Sequence, residues 1–154
     1  MISPLTFLIF LVVLTLIAAA MQAAARGKRV RALRELARQW EMHYSAADRF
    51  QLAPRVAQVL SIPGAASVRV LDLIYGLEGD HYRYLLTAEF TAGVLRGKSR
   101  GRVVATFAEP RDRSKAKTID PVFAPDRLSV IEQYQHLHKK IESLEQAPKP
   151  APLQ

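Results

Sequence analysis

The chain has 154 residues, no cysteine and a formal net charge of +8. The missing thiols exclude disulfide frameworks, cysteine nucleophiles and thiolate zinc sites. Setting aside an apolar start and a proline-rich end leaves roughly 115 residues, enough for one compact domain and too few for two.

From Leu5 to Ala25 no residue is charged, and the only polar side chains are Thr6, Thr15 and Gln22. At about 1.5 Å per residue this run makes roughly 31 Å of helix, matching the ~30 Å hydrocarbon core of a bilayer. Residues 1–25 therefore read as a transmembrane signal-anchor helix. The rival is a cleaved signal peptide, because Ala18–Ala20 and Ala23–Ala25 offer small residues for a cleavage site. Against it, Met1-Ile2-Ser3-Pro4 carries none of the basic residues of a signal-peptide start.

The basic residues follow the run instead. Arg26, Lys28, Arg29, Arg31, Arg34 and Arg38 stand against Glu35 alone. Lys and Arg flanking a span stay on the cytoplasmic side, which predicts the N-terminus outside and the domain inside. The six cations are expected to contact the membrane surface, their aliphatic stems reaching into the interface. Residues 26–44 form a basic neck helix and a first strand, with Val30, Leu33, Ala37 and Trp40 as its apolar stripe. A break near Gly27 is one option and a continuous helix the other.

A short helix is expected over 54–60, ended by Ile62-Pro63-Gly64. Strands follow over 68–75 and 82–91, joined by turn chemistry at Gly76–Asp80. The second alternates, with Tyr82, Tyr84, Leu86, Ala88 and Phe90 on one face, and reads as half-buried. Another strand covers 102–108, and 118–123 suggests a short edge strand. Residues 92–101 are a basic loop or hairpin tip. A second run of eight cations, from Arg96 to Lys117, faces only Glu109 and Asp112. Within it Arg96, Lys98, Arg100 and Arg102 form a candidate anion contact.

The last helix is placed at 126–145, with Asp126 as its N-cap. Val130, Tyr134, Leu137, Ile141 and Leu144 form its apolar seam. That seam packs on the chain's own sheet or serves a protein partner or homo-oligomer through residues 130–144. Residues 146–154 are a proline-rich tail. The sum is an α+β fold: an N-terminal transmembrane helix, then a small antiparallel sheet of about four strands flanked by helices, the domain proper being residues 45–145.

No nucleotide-binding loop, serine elbow or clustered histidine set appears, so no cofactor or metal is expected. His136 and His138 stand two apart on a helix and cannot easily share a metal. The basic run has no interleaved aromatic for base stacking, which argues against nucleic acid. Asp72 is unusual, a carboxylate within an apolar strand, and needs donors such as Arg69, Arg83 or a turn amide. Glu89 is expected to pair across strands with a residue on its own face, which it shares with Arg83 and Thr87.

The stretches Leu36–Ser45 and Val70–Gly76 resemble small bacterial membrane-anchored proteins. In those, a hydrophobic helix and a basic neck precede a β-rich domain at the inner membrane. The resemblance implies no activity. The expected role is thus a non-enzymatic interaction or scaffold domain at the cytoplasmic membrane face, partnered by the bilayer and its anionic headgroups. The alternative is a small-ligand-binding or enzymatic domain using Asp72, Glu89 and the Tyr82/Tyr84 strand.

Overall fold

The computed structural model describes residues 4–59, 65–92, 99–112 and 121–146. Expectations for Ile62-Pro63-Gly64, for Arg96 and Lys98, for residues 118–120 and for the tail beyond Gln146 lie outside the described residues. The elements run α1 (Pro4–Gln39), β1 (His43–Ser45), α2 (Leu52–Val59), β2 (Ala65–Glu78), β3 (His81–Ala92), β4 (Ser99–Pro110), β5 (Val122–Phe123) and α3 (Val130–Gln146).

α1 is continuous through Gly27 and runs about 54 Å at 1.5 Å per residue. It is the one helix among the described residues long and apolar enough to cross a membrane. Its side chains from Leu5 to Ile17 are exposed, with none of the described residues covering them. The Thr15 hydroxyl donates to the Leu11 carbonyl at 2.8 Å, so even this polar group is satisfied within the helix. The C-terminal part is different, since Leu33, Leu36 and Ala37 are buried. The helix stops at Gln39, where Glu41 takes a left-handed φ of 55° and turns the chain into β1.

The five strands lie in sequence order, every pair antiparallel. β2 and β3 outrun their expected ends and meet in a two-residue turn at Gly79-Asp80, with Gly79 at φ 58°. Gly76 is a strand residue rather than part of that turn, and a Cβ there would press on Met42.

β3 is not half-buried, because helices cover both of its faces. Tyr84, Leu86 and Ala88 pack with Val70, Leu73, Phe107 and the α2 residues Leu52 and Val56. Leu85 packs on the other side with Ile74, Val104, the α1 residues Leu33, Leu36 and Ala37, and the α3 residues Tyr134 and Leu137. Of the α3 seam, Val130, Tyr134 and Leu137 pack on the chain's own core. α2 is tied to its layer by an Arg55–Glu109 ion pair. Its N-terminal amides at Leu52 and Ala53 donate to the Asp48 carboxylate at 2.9 and 2.8 Å.

α3 begins four residues later than expected. Asp126 lies in the preceding turn, and Ser129 is the cap. The Glu132 N–H faces the Ser129 hydroxyl at 3.4 Å, and the Ser129 N–H donates to the Glu132 carboxylate at 2.8 Å. This reciprocal pair satisfies two helix-end donors and holds the Glu132 carboxyl below its ordinary pKa.

Candidate functional site

The bulge in β2 sets up the site. Between Leu71 and Ile74 the register against β3 shifts by one residue, and Asp72 sits there at φ 51°. A bulge of this kind needs a left-handed residue, and Asp tolerates that region better than most non-glycine residues. The extra residue turns Asp72 toward α1 while Leu73 continues into the α2-side core.

Asp72 is buried, yet well supplied. Its carboxylate accepts from the Arg29 guanidinium and, at 2.8 Å, from the Tyr44 hydroxyl. Its main-chain carbonyl accepts from the Tyr134 hydroxyl. Tyr134 also lies 3.0 Å from the Thr87 hydroxyl. Burial raises the pKa of Tyr44, with the Asp72 hydrogen bond and charge adding to it. Burial likewise raises that of Tyr134. Both phenols therefore stay neutral donors at any physiological pH. The donors expected for Asp72, Arg69 or Arg83, are not those used. Arg83 pairs with Glu78 at 2.6 Å, at the other end of β3.

Beside this network a cleft of about 770 Å³ opens between α1 and the sheet. α1 contributes Arg26 and Arg29 with the apolar Ala25 and Val30. The sheet contributes Arg69 and Asp72 from β2, Glu89 from β3, and Arg100 and Arg102 from β4. The antiparallel register lines up Arg69, Glu89 and Arg102 in one cross-strand row. Glu89 makes the expected cross-strand pair, with Arg102 at 3.6 Å. Among the described residues five arginines thus face two carboxylates, an excess of three positive charges. Among the described residues Arg26, Arg69 and Arg100 have no ion-pair partner.

The fold brings together Arg26 and Arg29 of the neck with Arg100 and Arg102 of the second basic run. It leaves Arg31, Arg34 and Arg38 away from the cleft, exposed on α1, with Arg34 lying over the Tyr44 ring at 5.7 Å. Lys28 is exposed and does not line the cleft. Asp72 and Glu89 converge, but Tyr84 is buried beneath α2 and Tyr82 is exposed. Arg69 was missed as a cleft residue. Its signal is the period-two spacing of Arg69 with Leu71, which matches that of Arg100 with Arg102 and puts each pair on one strand face.

The histidines stay apart. His138 stacks on Trp40 with ring centroids 4.1 Å apart, and His136 is exposed. Among the described residues no group of His, Asp and Glu could hold a metal ion. No family model, curated protein or solved structure matches the chain.

Proposed function

We propose that the chain is a single-pass membrane-anchored protein whose α+β domain lies against the cytoplasmic face of a plasma membrane and works as an interaction or scaffold domain. One observation carries the reading. A helix with an exposed apolar length continues unbroken into a basic neck, and that neck shares a cleft with the basic end of β4. Positive charge is thereby concentrated where the apolar length ends, as the charge rule for cytoplasmic flanks requires. Anionic headgroups are the first partner this surface meets.

The convergence of Asp72 and Glu89 favours a second reading, a small-ligand-binding or enzymatic domain. The burial of Tyr84 on the opposite face and the two donors already committed to Asp72 weigh against it.

Orientation can be tested directly, because the chain has no native cysteine to remove. Ser143 on α3 is exposed and accepts a reporter thiol as Ser143→Cys. An impermeant maleimide is expected to label it only after the cells are opened. Labelling of intact cells would sink the cytoplasmic placement.

A further inference from the structure

We propose that the cleft between α1 and the sheet is a binding site for the phosphate group of an anionic phospholipid. The inference rests on α1 crossing the membrane, and it adds a specific ligand to that anchor.

Height is the first argument. Ala25 is the last residue of the uncharged run. Arg26 and Arg29 stand about 1.5 and 6 Å beyond it along the helix axis, at 1.5 Å per residue. A bilayer of 40–45 Å with a ~30 Å core leaves roughly 5–7 Å of headgroup on each side. The cleft's α1 arginines therefore fall within the layer where lipid phosphates lie.

Chemistry is the second. Among the described residues each cation lining the cleft is an arginine. The planar guanidinium fork matches two phosphate oxygens at once, whereas an ammonium offers only a point charge. Arg26, Arg69 and Arg100 have no carboxylate partner among the described residues. Arg29 is held to Asp72 through Nη2, and its buried Nε has no acceptor among those residues. Glu89 restrains Arg102 without neutralising the group.

Size and lining are the third. About 770 Å³ exceeds what a lone inorganic ion fills and falls within the range of pockets for whole ligands, roughly 300–1,000 Å³. Ala25, Val30 and Leu71 add apolar surface to the lining alongside the arginines. A molecule with a phosphate and an adjoining acyl-glycerol portion uses both kinds of surface. A soluble phosphate uses one.

The test uses the full chain purified in detergent, delipidated, and exposed to phosphatidylglycerol or phosphatidylcholine, with retention read by native mass spectrometry. Phosphatidylglycerol is expected to be retained about tenfold more strongly than phosphatidylcholine, and the double variant R69Q/R100Q to lose that preference. Among the described residues Arg69 and Arg100 make no ion pair, so the variant is expected to keep its unfolding midpoint. R127Q, at an exposed turn outside the cleft, is the control and should keep the preference.

Equal retention of the two lipids would overturn the site, as would equal behaviour of R69Q/R100Q and R127Q. Displacement of phosphatidylglycerol by excess inorganic phosphate would reassign the cleft to a soluble phosphate and overturn the lipid assignment. Alkaline carbonate extraction of native membranes separates the two proposals. Release of the chain rejects the anchor itself. Retention in the pellet without lipid preference rejects the cleft alone.

Discussion

Asp72 joins three elements through one residue. Its carboxylate holds Arg29 of α1 and Tyr44 of β1, and its carbonyl holds Tyr134 of α3. A buried carboxylate without partners would cost several kcal/mol, so this arrangement tolerates change poorly. Asp72→Ala removes the anion, strands Arg29 and Tyr44, and puts a Cβ with no polar compensation at φ 51°. The expected loss is about 3 kcal/mol, the low end for breaking a buried pair, because Arg29 remains 25% exposed. Asp72→Asn keeps an acceptor for Tyr44 and a residue at ease in the left-handed region, and should lose about 1–2 kcal/mol. Denaturant unfolding of the detergent-solubilised chain measures both. An Ala variant within about 0.5 kcal/mol of the parent would mean that the ion pair contributes nothing net. The sequence marked Asp72 as anomalous, but its partners were not readable. Arg29 is 43 residues away, and only the packed helix brings it to the strand.

At the scale of elements, periodicity carried most of the information. The stripe on α1 is borne out, with Leu33 and Ala37 in the core and Trp40 packed against it, whereas the alternation in β3 does not mark a half-buried strand, since Leu85 and Thr87 are buried as fully as Leu86. Strand ends were less legible. β4 begins at Ser99, although Arg100 and Gly101 read as part of a loop or hairpin tip. The reason is the register. Gly101 pairs with Phe90, whose ring occupies the space a Cβ at Gly101 would need. Phe90 thus covers the glycine from the face opposite the cleft and keeps Arg100 and Arg102 in strand geometry. Gly101→Val should displace the ring and destabilise the domain by about 1–3 kcal/mol. In a Phe90→Ala background the same substitution should cost less, and unfolding midpoints of the four variants measure the difference. Equal costs in both backgrounds would remove Phe90 from the account. The start of α3 shows the same limit differently. Asp126 and Ser129 are both good caps, and the choice fell to the residue with a glutamate three positions on.

For the whole molecule, the two basic runs were legible but their meeting was not. They stand far apart in sequence, and the topology joins them only because the start of β4 lies beside β3 and both lie under α1. A helix that runs unbroken from its apolar length into the domain core has a further consequence. It fixes the compass bearing of the domain relative to every side chain in the span. One residue inserted after Ala19 would turn the domain by about 100° against the residues before it, and seven would bring it back within about 20°. Lipid surrounds a span on all sides, so retention of phosphatidylglycerol should ignore that angle. A protein gripping both the span and the domain could not. Cross-linking to such a partner should fade and return with the period of the helix, which makes an insertion series a way to distinguish a lipid contact from a protein one.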